Sequence, residues 1–265
     1  MNLIGLADLT RQDVRDLWAS VRSPAVPLGG NVAWSFEGNG IRTRTTFIQA
    51  FRELGLSFVE LPNFLKTGER ARDLAGYLDP FYDVYVIRES NHARLAEFAA
   101  ASKRPVVNAM SSEGHPCEVL TDAYFIDSSI KPLEEARICL WGPPTNVMRS
   151  WHELAQVMGF TVIHACDPRW HEAKANVQFT AYCEQPMDVV ITDAWPAGAD
   201  DAAWSLTTAH LALMGQPRLL PTPPFSIGRE LAFDPLAWPG FTGYAQKELL
   251  LPVHRAILQQ AMSRP

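Results

Sequence analysis

The feature that most constrains this chain is an alternation of short apolar runs with helix-length segments. An apolar run at Asn31–Phe36 precedes a helix signal over 45–54, which Gly55 stops. Runs at 56–61, 84–87 and 105–108 then alternate with helical patterns at 70–78, 93–101 and 115–126. The second half repeats the rhythm, with runs at 137–141, 161–165, 187–192 and 218–220, a helix over Asn146–Met158 and an amphipathic closing helix over 245–260. Parallel neighbours cannot be joined by a tight hairpin, so strands that alternate with helices imply parallel sheets covered by those helices. The class expected is α/β, with two doubly wound domains, each a parallel sheet flanked by helices. The polar stretch 127–132 marks the boundary. It sets domains at 1–128 and 129–244, with the closing helix, 245–263, packing back on the first.

Charge and cysteine usage narrow the class. With 23 basic against 29 acidic residues, a net charge of −6 and no basic stripe, nucleic acid is not an expected partner. Cys117, Cys139, Cys166 and Cys183 form no CxxC pair and suit reduced thiols in a cytosol. The N-terminal residues carry charges where a signal peptide needs an apolar run. The uncharged stretch 202–217 is too short for a membrane span and carries Ser205, Thr207, Thr208 and His210. A cytoplasmic location is therefore expected, with no membrane partner. His92, His152, His164, His171, His210 and His254 read as surface or packing residues, and no metal site or cofactor is expected. Gly142-Pro143-Pro144 is no dinucleotide fingerprint, because its prolines lack the N–H donors a pyrophosphate needs.

In doubly wound sheets ligands sit at the carboxyl ends of strands, against helix N-termini. The most informative such segment runs from Phe36 through Glu37, Gly38, Asn39, Gly40, Ile41, Arg42, Thr43 and Arg44 to Phe47. It leaves a strand and opens a helix. Two arginines flanking a hydroxyl there form a phosphate grip, or else a capped helix with solvated arginines.

This segment resembles the phosphate signature of the aspartate/ornithine carbamoyltransferases, Ser-Thr-Arg-Thr-Arg after Phe-Glu-x-x. Further motifs follow in family order. Gly68-Glu69-Arg70-Ala71-Arg72-Asp73-Leu74-Ala75 is similar to Gly-Glu-Ser-x-x-Asp-Thr-Ala, and Val86-Ile87-Arg88 to the strand that ends in a substrate-binding arginine. Pro105-Val106-Val107-Asn108-Ala109 and His115-Pro116-Cys117-Glu118 resemble Pro-Val-Ile-Asn-Gly and His-Pro-Cys-Gln. Thr192-Asp193-Ala194-Trp195 matches Thr-Asp-Val-Trp of the ornithine branch. Leu220-Pro221 stands in place of the end of His-Cys-Leu-Pro, and Ala245-Gln246-Lys247-Glu248-Leu249-Leu250 matches the closing helix.

The resemblance implies a transferase that moves the carbamoyl group of carbamoyl phosphate to an amine acceptor, ornithine or a related amino-acid-like amine, without a cofactor. Arg42 and Thr43 would hold phosphate and the bridging oxygen, with Gly40, Ile41 and Arg44 completing the loop. Arg88 and His115 would polarise the carbamoyl oxygen. Asn146 and Asp193 would meet the acceptor, and Leu220 would be a further substrate-binding residue. A homotrimer is implied, in which Lys66, on the 61–68 loop, reaches a neighbouring subunit's phosphate pocket.

The departures are as specific as the matches. The family's Ser-Thr is Gly40-Ile41, so two hydroxyls are gone; a lost hydrogen bond to a charged partner costs about 1.5–3 kcal/mol. Restoring Ser-Thr there is expected to raise donor affinity if the loop keeps the family geometry. Glu118 replaces a glutamine and is either in the donor site or a solvated helix residue. Arg218, Leu219 and Thr242 replace the family's histidine, cysteine and late arginine, and Pro196-Ala197-Gly198 stands where the ornithine branch has Ser-Met-Gly. These losses motivate two alternatives: a catalytically altered or inactive relative that binds a small ligand or partner, and a transferase using a different donor.

Overall fold

A computed structural model of the chain describes residues 1–199 and 201–263. They form two compact units: 1–121 with 249–263, and 122–248. The division falls inside a helix, at Thr121/Asp122, seven residues before the 128/129 boundary read from the sequence.

The first unit is built on four parallel strands, β1 (Asn31–Phe36), β2 (Ser57–Glu60), β3 (Val84–Arg88) and β4 (Val106–Met110), in the order β2-β1-β3-β4. Its helices are α1 (Arg11–Val21), α2 (Ile41–Glu53), α3 (Ala71–Leu78), α4 (His92–Ala101) and the first turns of α5 (Pro116–Ser129). The strand period of two decides which face each side chain serves. Ala33, Tyr85 and Ile87 join Leu74, Leu95 and Phe98 in the core under α3 and α4. Trp34 faces the other way, with ring centroids 5.7 Å from Phe47 and 5.5 Å from Phe51 of α2. Burial on both faces explains why the central strands read as continuous apolar runs.

Helix α2 starts at Ile41, four residues before the start read from the sequence, so Arg42, Thr43 and Arg44 lie in its first turn. Its apolar stripe is Phe47, Ala50, Phe51 and Leu54, all fully buried. Gly55 ends it in the left-handed region at φ +65°, which lets Leu56 N donate to Phe51 O at 2.8 Å.

The second unit has five parallel strands, β5 (Ile138–Trp141), β6 (Val162–Ala165), β7 (Val177–Thr180), β8 (Val189–Thr192) and β9 (Arg218–Pro221), ordered β7-β6-β5-β8-β9. Helices α6 (Asn146–Met158), α7 (Thr208–Leu213) and α8 (Gly243–Lys247) accompany them. The sequence reading has no β7. It is a half-exposed edge strand of sequence VQFT, without the apolar run that marks a buried strand.

The closing helix is not continuous. It breaks between α8 and α9 (Leu250–Ser263). Pro252 lacks the N–H that would reach Glu248 O in an unbroken helix, but as third residue of α9 it removes a donor that has no helical partner anyway. Helix α9 packs on α1 and α2.

Candidate active site

In the first unit the strand order turns back between β1 and β3, and ligands of open α/β sheets bind at the carboxyl ends of strands at such a point. Phe36 and Arg88 are register partners there. The Arg88 guanidinium lies over the Phe36 ring at 5.1 Å, and the Arg44 guanidinium lies over the same ring at 5.3 Å. Burial lowers the Arg88 pKa, and the nearby Arg42 charge lowers it further against the pull of Glu37. Two guanidiniums held close on a half-buried shelf, at the positive end of α2, make a site that favours an anion.

The carboxylate of Glu37 braces this shelf. One oxygen accepts from the Lys66 ammonium and the other from Ser90 N at 2.7 Å, which ties the end of β1 to the loop after β3. The Lys66 hydrogen bond, more than any other contact, holds the Glu37 carboxyl down at about 2. Neither the bracing role of Glu37 nor the shelf role of Phe36 follows from the sequence reading, although both stand in the motif.

Lys66, expected to reach across to a neighbour, here pairs with Glu37 of its own chain. Its loop is held down by buried Leu65, by Phe64 packed edge-on to Phe98 at 5.1 Å, and by Arg94 Nε donating to Leu65 O at 3.2 Å. Arg44 is likewise engaged, with Glu60 at 2.5 Å. Thr43 is buried, whereas Ile41 is 64% exposed.

Gly40 is where a restored serine would have to fit, and its neighbours would have to shift to admit one. A Cβ there would lie 2.5 Å from Arg88 Nη1 and 2.5 Å from two carbons of the Phe36 ring. Arg88 and Phe36 occupy the space a side chain at 40 would need.

His115 immediately precedes α5, 7% exposed, and its carbonyl accepts from Val119 N at 3.2 Å. Glu118, in the first turn of α5, is 5% exposed, so the reading of a solvated helix residue is corrected. Asn108 Nδ2 donates to Ile4 O at 2.8 Å and to Ser111 Oγ at 3.1 Å, which anchors the N-terminal strap to β4.

In the second unit the order turns back between β5 and β8. Asn146 is the first residue of α6, after the 142–145 loop that leaves β5. Asp193 follows β8 directly and is 8% exposed, and Leu220 is a buried residue of β9. Trp195 N donates to Glu230 Oε1 at 2.9 Å, so the fully buried Glu230 carboxylate fixes the loop after β8.

Two histidines of the first unit pack against or bond to neighbouring elements. His254 Nδ1 is 3.0 Å from Thr46 Oγ1 with its ring stacked on Phe47, and His92 Nδ1 is 2.9 Å from Ser111 Oγ. Among the described residues no group of three or more His, Cys, Asp or Glu is placed to hold a metal ion, and no helix is long and apolar enough to cross a membrane.

The profile of the family described as "Aspartate/ornithine carbamoyltransferase, carbamoyl-P binding domain" matches residues 2–128. The ornithine carbamoyltransferase of Bradyrhizobium diazoefficiens is 30% identical over 194 residues, 67% of this chain and 63% of that protein. That of Methanopyrus kandleri is 28% identical over 232 residues, 76% of this chain and 74% of that one. The chain belongs to the aspartate/ornithine carbamoyltransferase family. Within it, the similarity is to the ornithine branch. Solved structures share the family fold: ornithine carbamoyltransferase from Thermus thermophilus superposes with a TM-score of 0.89 at 23% identity, covering 98% of each chain. The Burkholderia thailandensis enzyme gives 0.88 at 21%, covering 97% of each. The aligned stretch spans 63% of the Bradyrhizobium relative and 60% of one from Rhodopseudomonas palustris, less than two thirds of either.

Proposed function

We propose that the chain transfers the carbamoyl group of carbamoyl phosphate to the amine of ornithine or a related amino-acid-like acceptor. The observation that carries this reading is the close approach of the α2 N-terminus, with Arg42 in its first turn, to Arg88 at the end of β3, in the part of the chain matched by the carbamoyl-phosphate domain profile. Residues 1–128 would bind the donor and 129–244 the acceptor.

In this reading Arg42, Thr43 and the backbone N–H groups from Ile41 to Thr43, in the first turn of α2, hold the phosphate as it takes up charge. Arg88 and His115 donate to the carbamoyl oxygen, which gains negative charge as the acceptor nitrogen attacks the carbonyl carbon. Phosphate then leaves, and the nitrogen loses a proton. No covalent enzyme intermediate is needed, so the work is positioning and preorganised electrostatics. Asn146 and Asp193 meet the acceptor from the second unit. The family likeness also supports a homotrimer in the cytoplasm, with a shared phosphate pocket. For Lys66 to serve a neighbour it must leave Glu37.

Titration calorimetry with carbamoyl phosphate, followed by phosphate release with ornithine and related amines, tests the reading. Donor binding and amine-dependent phosphate release are expected. A folded chain that binds no carbamoyl phosphate would overturn it.

A further inference from the structure

We propose that His164, backed by His152, is a positioning residue for acceptor binding: it holds the Gly142 carbonyl, and through it the loop that presents Asn146. The proposal deepens the reading above, from which the acceptor contact at Asn146 is taken.

The observation is a chain of hydrogen bonds buried in the second unit. His164 Nε2 lies 2.7 Å from Gly142 O, and His164 Nδ1 lies 2.9 Å from His152 Nε2. Both histidines are fully buried. A carbonyl only accepts, so His164 Nε2 carries the proton. In a neutral ring Nδ1 is then the acceptor, so His152 donates to it from Nε2. His152 Nδ1 is left as a bare nitrogen with no hydrogen-bond partner. The groups whose charges bear on the pair are cationic or can become so, namely Arg149, Lys174 and His171. Burial first, and those neighbours second, keep both rings neutral. The relay therefore has one direction, from His152 to His164 to Gly142, and one tautomer at each step. Phe179 of β7 packs against both rings, stacked on His164 at 5.1 Å and edge-on to His152 at 5.7 Å.

Every carbonyl between Gly142 and Thr145 has its own donor. Pro143 O accepts from Thr145 N at 2.8 Å, Pro144 O from Arg149 Nη1 at 2.6 Å, and Thr145 O from Arg149 N at 2.9 Å. The Thr145 hydroxyl caps α6 by accepting from Met148 N at 3.3 Å. Gly142 N itself donates to Ala165 O at 3.0 Å. Two consecutive prolines fix their own φ angles. The loop is thus rigid between two ends, and His164 sets the first of them. Gly142 stands at φ +116°, and a Cβ on it would lie 2.6 Å from Trp195 Nε1. Gly142 is therefore also where the loops after β5 and β8 pack together. A turn of its carbonyl moves Asn146 on one side and the Asp193–Trp195 segment on the other.

The test uses the full chain and two variants of one residue. His164→Phe keeps the ring against Phe179 and removes the donor, whereas His164→Gln keeps an N–H donor. In phosphate-release kinetics, His164→Phe is expected to raise KM for the amine about tenfold and leave KM for carbamoyl phosphate unchanged, with His164→Gln recovering most of the loss, since misplacement of about 1 Å is enough to be felt. A purely structural role would lower stability and leave the two KM values alone, or move both together; either result overturns the proposal. If His164→Phe does not fold, His152→Phe leaves the bond to Gly142 but frees the tautomer, and the same split is expected at about threefold. A crystal structure of the variant separates this proposal from the functional reading. A displaced Gly142 carbonyl in a chain that turns over no amine overturns the function and keeps the positioning; an unmoved loop in an active chain does the reverse.

Discussion

At the residue scale, Arg42 and Gly40 do different work on the same shelf. Arg42→Ala removes the guanidinium of the α2 first turn whose charge bears on Arg88, and is expected to weaken carbamoyl-phosphate binding by about 1.5–3 kcal/mol, more than tenfold by calorimetry. Unchanged affinity would mean that phosphate sits elsewhere. Gly40 is confined from both sides by Phe36 and Arg88. Gly40→Ser is expected to push Arg88 off the Phe36 ring, at a cost of about 1–3 kcal/mol in stability from overpacking. Donor affinity should fall, not rise. A serine variant that binds more tightly would show that the loop opens freely. The arginines were legible as residue types at a helix start. That Arg88 and Phe36 together crowd Gly40 was not, because β1 and β3 bring Phe36 and Arg88 together across 52 residues.

At the element scale, the geometry of the donor loop depends on how α2 is seated. Helix α9 holds it through His254, which stacks on Phe47 at 3.9 Å and meets Thr46 Oγ1 at 3.0 Å. Arg255 adds an ion pair to Glu53 at 3.0 Å. His254→Ala is expected to cost about 2–4 kcal/mol, as a large-to-small change at a residue 1% exposed, read as a lowered urea midpoint. Arg255→Ala should cost about 0–1 kcal/mol from the ion pair alone. The reverse ranking would mean that α9 is held by its charges and not by its packed face. The helices α2 and α6 were legible from apolar spacing and flanking turn residues. Edge strand β7 was not, since a half-exposed edge carries no apolar run, and its place beside β6 comes from register pairing alone.

At the scale of the whole molecule, the two units should answer acid in different pH windows. In the second unit, burial pushes His152 and His164 well below the ordinary 6.5, His164 to about 4. The unfolded chain binds those protons first, so the stability these groups contribute is full above 6.5 and is lost as pH falls towards 4. In the first unit, Glu37 is lowered from 4.5 to about 2, so its contribution is present above 4.5 and lost only as pH falls towards 2. Of the eight tryptophans all but Trp18 and Trp34 lie in the second unit, so tryptophan fluorescence reports mainly on it. Its urea midpoint should fall between pH 6.5 and 4, and His152→Phe should flatten that slope. A midpoint constant across this range would refute the buried-neutral pair. What the sequence alone determined is what local chemistry encodes: alternating strands and helices, the Arg-Thr-Arg helix start, and the order of family motifs. What only the tertiary structure decided is which distant side chains meet, because burial and register are set when sheets form. Lys66 on Glu37, Arg88 in the space beside Gly40, and His152 on His164 on Gly142 are each neighbours in space that no spacing along the chain could predict.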